Sequence, residues 1–104
     1  MSVSDLLIRI KRAVLAGRYA FSEKARTELD ADNLSEQDVI ESILYAPAIY
    51  KTIRSKNPAS GQREYLHIIQ GITLQGQAIY TKGKFVTEGG EETYYFLVSS
   101  KKAL

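Results

Sequence analysis

The chain has no cysteine and no tryptophan, one histidine and two prolines among its 104 residues. Without cysteine there is no disulfide, no zinc–thiolate site and no thiol nucleophile, and nothing points to an oxidising compartment. A single histidine, His67, excludes a multi-histidine metal centre. Long apolar runs are also missing: residues 6–15 are interrupted by Arg9, Lys11 and Arg12, so this stretch is neither a signal-peptide core nor a membrane span. A cytoplasmic protein with no membrane contact is expected. Gly71 with Gly76, and Gly89 with Gly90, lack the spacing and strand-to-helix setting of a phosphate loop. The half that holds His67 has four acids, three beside a glycine turn, and nothing local completes a serine-hydrolase triad. No metal and no cofactor are expected.

What is present divides into two unlike halves. Residues 1–50 carry six Lys or Arg against eight Asp or Glu, a net −2, whereas residues 51–104 carry eight against four, a net +4. At this length one domain is the economical reading, and it is large enough to bury a core unaided. In the first half, apolar residues recur at helical spacing. Ser4 is the expected cap of a helix through Leu6, Leu7, Ile10, Val14 and Leu15 that Gly17 ends, leaving Arg9, Lys11 and Arg12 toward water or a ligand. Ser22 opens a second helix through Ala25 and Leu29. Ser35 opens a third, with Asp38 at the capping-box offset, a stripe of Val39, Ile40, Ile43 and Leu44, and Pro47 as the stop.

Beyond Pro47 the period falls to two, and β-branched and aromatic residues take over. Strands are expected near Ile49 to Arg54, Glu64 to Gln70, Leu74 to Val86 and Glu92 to Ser99. The turns between them are expected at Asn57–Gly61, Gly71 and Gly89–Gly90. Links this short leave no room for crossover helices. The expected fold is α+β: three N-terminal helices packed on one face of a four-stranded, mainly antiparallel sheet, with the other face open.

Alternation places Tyr80, Lys82 and Lys84 together on that open face. The first strand is less decided, because Ile49 and Ile53 suggest the core and would turn Lys51 inward. The last strand is apolar on both parities and does not fix its own phase. Cations interleaved with tyrosines suit phosphates and stacked bases. They also suit RNA cleavage by the 2′-hydroxyl, which asks for a proton acceptor, a proton donor and positive charge on the phosphorane, with no metal and no protein nucleophile. His67, Tyr80, Lys82, Arg63, Lys51 and Lys101 are residues of the right kinds, and lysines near Tyr80 favour its phenolate. Each also has a plain structural reading: a hydrogen-bonded strand histidine, tyrosines placed by strand propensity, Lys82 and Lys84 guarding a strand from pairing, and Lys101 and Lys102 in a solvated tail.

The order of segments carries a resemblance. Ile8 to Gly17 (IRIKRAVLAG), Leu34 to Leu44 (LSEQDVIESIL), Ile49-Tyr50-Lys51, Gly76 to Lys82 (GQAIYTK) and Val98 to Lys101 (VSSK) together resemble the MqsR mRNA interferase toxins, which share a fold with the RelE ribonucleases. A related uncharacterised toxin-like domain family is also similar, through Phe21 to Ala25 (FSEKA), with Lys24 where that family has histidine. The resemblance implies a RelE-like fold and a metal-independent endoribonuclease acting on mRNA, held by an antitoxin protein, with Lys51, Tyr80 and Lys101 at matching site positions. The family's glutamine at the start of the second strand has no single match, since Gln62, Arg63 and Glu64 compete for the place. Joined to the cationic strands, this gives Lys51, His67, Tyr80 and Lys101 as catalytic candidates, and Arg54, Arg63, Lys82 and Lys84 as substrate-binding candidates. The alternative is a non-catalytic protein-interaction or RNA-binding module on the same fold, and self-association stays open.

Overall fold

The computed structural model describes residues 3–103, with the side chains of residues 3 and 4 excepted; Ser4 lies within the first helix rather than at its expected cap. The chain runs α1 (Val3–Leu15), β1 (Tyr19–Phe21), α2 (Glu23–Ala31), α3 (Glu36–Tyr45), β2 (Lys51–Lys56), β3 (Arg63–Ile72), β4 (Ala78–Glu88) and β5 (Glu91–Lys102). Local chemistry explains the helix boundaries. Ser22 accepts the Ala25 amide at 3.0 Å to open α2. Ser35 and Asp38 close a reciprocal capping box at α3, each accepting the other's backbone N–H.

The α+β class is as expected, but the sheet is not. It has five strands in the order β1-β5-β4-β3-β2, and β1 pairs parallel with β5, so the sheet is mixed rather than four-stranded and mainly antiparallel. The extra strand is the three-residue Tyr-Ala-Phe between α1 and α2. It is too short to show a period, and its evidence in the sequence is two aromatics beside a glycine. The turn assigned to Gly71 also moves. Gly71 lies inside β3, and the reversal runs through Thr73 to Gln77, with Gly76 at φ 87°. Gly71 is there because α3 presses on it: a Cβ at that position would meet the Ser42 carbonyl oxygen at 1.9 Å.

The core lies between the helices and one sheet face. Leu7, Ile10, Val14, Ala25, Leu29, Val39 and Ile43 meet Ile69, Ile79, Tyr95 and Leu97, all buried. The registers Ile69↔Thr81 and Gly71↔Ile79 put one parity of β3 and β4 under the helices, which leaves Ile68, Gln70, Tyr80 and Lys82 on the opposite face. The α1 cations expected toward water or a ligand are structural in part: Lys11 donates to the Ala46 carbonyl at 2.6 Å, and Arg9 pairs with Glu92. No helix among the described residues is long and apolar enough to cross a membrane.

Candidate functional site

The open face is organised by the sheet register. Lys51 pairs with Ile68, and Ile68 pairs with Lys82, so two lysines flank one isoleucine across three strands. Their Cα atoms are about 10 Å apart from the strand spacing. Ile68 is 6% exposed although no helix covers this side, as expected where lysine stems lie over an apolar side chain. Lys51 therefore faces outward. The inward phase suggested by Ile53 fails because Ile53 itself lies on the open face, opposite Leu66.

One step along β4, Tyr80 stands between Gln70 on β3 and Lys101 on β5. The Lys101 ammonium is 5.4 Å from the Tyr80 ring centroid. Gln70, Tyr80, Lys101 and Lys102 line a shallow depression of about 240 Å³. Lys101 is not part of a tail: β5 continues to Lys102. Its orientation depends on a β-bulge. Lys82 pairs with Ser99 and Gly83 with Leu97, so Val98 has no partner and the strand changes phase there. Before the bulge, Tyr95 and Leu97 face the helices; after it, Lys101 faces outward beside Tyr80. Simple alternation from Leu97 would have put Lys101 under the helices.

The bulge is held by α2. Strand β1 ends at Phe21, and past that point the outer edge of β5 has no neighbouring strand. Helix α2 takes over with side chains: Ser22 Oγ donates to the Val98 carbonyl at 3.0 Å, Glu28 accepts from Ser99 Oγ at 2.6 Å and from the Ser100 amide at 3.2 Å, and Asp32 accepts from the Lys102 amide at 2.8 Å. The second Glu28 oxygen lies 3.9 Å from the Lys101 ammonium. Glu28 thus positions Lys101, a role with no signal in the sequence, because the bulge that creates it is invisible there. Gln70 was missed for a related reason: with the turn assigned to Gly71, it could not be registered opposite Tyr80.

Three of the other candidates, His67, Arg54 and Arg63, lie elsewhere, while Lys84 keeps the open-face parity of Tyr80 and Lys82. His67 is on the helix side, 6% exposed, with Nδ1 3.1 Å from Thr52 Oγ1. Burial, joined by the Arg9 charge, lowers its pKa and favours the neutral ring. It does not share a face with Tyr80, because the two have opposite parity in paired strands. Arg54 and Arg63 line a shallow groove at the β2 edge with Ser55 and Lys56. Lys84 donates to Glu64 at 2.7 Å, and this hydrogen bond holds the Glu64 carboxyl below its usual range despite some opposing desolvation. Of the eight candidates, Lys51, Tyr80, Lys82, Lys84 and Lys101 share the open face by register, with Lys101 beside Tyr80, Lys84 paired to Glu64, and Lys51 three strands away from Lys101. Neither Lys51 nor Lys82 has an acidic partner among the described residues.

Aromatic rings extend the face toward the other end of β4, where Phe96 pairs with Lys84 and Tyr94 with Val86, their rings 6.4 Å apart. Such a surface can hold phosphates with lysine and stack bases on half-buried rings. Among the described residues no group of three or more carboxylate or imidazole side chains is placed to hold a metal ion. Compared with known proteins, the chain matches no family model, no curated protein and no solved structure.

Proposed function

We propose that this protein is a metal-independent endoribonuclease that cleaves single-stranded RNA through the substrate's own 2′-hydroxyl, working on the open face of the sheet. The observation that carries the reading is the grouping of Tyr80 with Lys101, Lys82 and Lys51 on a face that no helix covers. Tyr80 is the proton-transfer group, relaying a proton at the 2′-oxygen or the leaving 5′-oxygen. Lys101, Lys82 and Lys51 hold the phosphate and stabilise the charge that builds on it. Gln70, directly across from Tyr80, is placed to orient a ribose or phosphate oxygen. His67, Arg54 and Arg63 have no part in this step. A partner protein of the antitoxin kind, covering this face, would hold the activity in check. Expression in a bacterial host tests the reading: growth arrest that Tyr80→Phe relieves supports it, and normal growth with abundant folded protein counts against it.

The uncovered outer edge of β2 favours a second reading, a non-catalytic interaction module. Arg54 and Lys56 on that edge, with Arg63 beside them, form a basic groove of about 290 Å³ suited to an acidic extended segment. A stoichiometric protein partner that survives Lys82→Glu and Lys84→Glu, with RNA left uncut, would decide for it.

A further inference from the structure

Strands β3 and β4 do not stay together along their whole length. They pair from Ile72↔Ala78 to His67↔Gly83; beyond that, β3 continues with β2 as far as Arg63, and β4 continues with β5 as far as Glu88. The sheet forks, and α1 lies over the fork. Between the prongs is a cleft of about 510 Å³, within the range of small-molecule sites. His67 lies where the prongs separate, at its floor.

We propose that this fork cleft binds a small, flat, singly negative molecule: an aromatic or heteroaromatic ring that carries one anionic group. The site uses none of Lys51, Tyr80, Lys82 and Lys101 and does not depend on the RNA-cleaving reading.

Three observations set the ligand's chemistry. The walls are aromatic: Phe85 meets Tyr95 edge-on at 5.3 Å, with the Arg9 guanidinium 5.2 Å from the Phe85 centroid, and Tyr65 is 55% exposed at the mouth. A planar ring between them gains stacking and burial that an aliphatic chain would not. The charges leave one cation over. Arg9 is paired with Glu92 and Lys84 with Glu64, whereas Arg63 has no acidic partner among the described residues. One negative group on the ligand completes the count. The floor is neutral and polar: with Nδ1 committed to Thr52, His67 offers its other ring nitrogen to a ring heteroatom. The Lys84–Glu64 bridge joins the two prongs across the cleft.

Two sources supply such a molecule, nucleoside cyclic monophosphates, whose phosphodiester carries one negative charge, and aromatic carboxylates. Titration of the isotope-labelled full chain with a panel of nucleoside cyclic monophosphates, and separately with indole-3-carboxylate, distinguishes them by NMR. The expected result is shifts at His67, Tyr65 and Phe85 with a Kd below about 1 mM for at least one arm. The matching uncharged nucleoside or indole binds about tenfold more weakly. Arg63→Ala, an exposed change that leaves the core intact, weakens binding about tenfold, while Tyr80→Phe and Lys51→Ala leave it unchanged. Binding in one arm alone supports the site and names its source. Shifts confined to Tyr80 and Lys82, no loss of affinity in Arg63→Ala, or no binding in either arm overturns it.

Discussion

The ammonium of Lys101 lies 5.4 Å from the centre of the Tyr80 ring, across two paired strands whose phase is reset by the unpaired Val98. This contact depends on α2, because Glu28 grips Ser99 and Ser100 at the bulge. Helix, bulge and candidate site form one physical chain.

Glu28→Ala therefore has two consequences. Losing a carboxylate that accepts bonds from a hydroxyl and a backbone amide costs about 2 kcal/mol, read by chemical denaturation. With the bulge released, RNA turnover falls while RNA affinity changes little, since Lys51 and Lys82 stay in place. Equal activity in the folded variant would remove Glu28 from its positioning role.

On the proposed function, binding of uncut RNA by Tyr80→Phe is expected to be dominated by counterion release. The logarithm of its affinity falls linearly with the logarithm of salt concentration, and adding Lys51→Ala or Lys82→Ala lowers that slope by about 0.7 each. Arg54→Ala, at the β2 edge, leaves the slope unchanged. A slope insensitive to both lysines places the RNA elsewhere.

Gly71→Ala tests the seating of α3. Its Cβ would meet backbone, the Ser42 carbonyl oxygen, which cannot rotate aside as a side chain could. The expected loss is at least about 2 kcal/mol. Wild-type stability in this variant would mean that α3 does not contact β3 as described.

Tyr95→Phe moves in the opposite direction. The Tyr95 hydroxyl is fully buried without a hydrogen-bond partner, and burial raises its pKa. Removing it relieves an unsatisfied group and raises stability by about 1 kcal/mol. A loss of stability would reveal a partner for that hydroxyl.

His67 sets a pH dependence. Burial lowers its pKa in the fold below the ordinary 6.5, so on acidification the unfolded chain takes up a proton before the native state does. Stability is full above 6.5 and declines as pH falls from there toward the lowered native value. Glu64, whose pKa is also lowered, adds a separate loss below 4.5. Denaturation at about pH 7.5 and about pH 5.5 shows the His67 decline, and His67→Asn abolishes it. An undiminished decline in that variant would assign it to another group.

The helices were legible because their signals are local: Ser22, and Ser35 with Asp38, mark starts in the sequence that the backbone obeys. Strand content was legible from the change of period after Pro47, and the outward face of Tyr80 and Lys82 from alternation. What was not legible is non-local. Strand β1 exists only because β5 accepts it, and Lys51 faces outward because its apolar neighbour Ile53 packs on the open face. His67 was grouped with Tyr80 by residue type, but register parity sends the two to opposite sides of the sheet. The bulge at Val98 reverses alternation, and its support, Glu28, is 70 residues away in sequence.

The most direct test of the cleaving face is a purified reaction with single-stranded RNA in the presence of a metal chelator. The wild type is expected to release fragments ending in 2′,3′-cyclic phosphate, with no detectable cleavage by Tyr80→Phe at unchanged RNA affinity. RNA left intact by the wild type, or cut equally by Tyr80→Phe, would contradict this expectation.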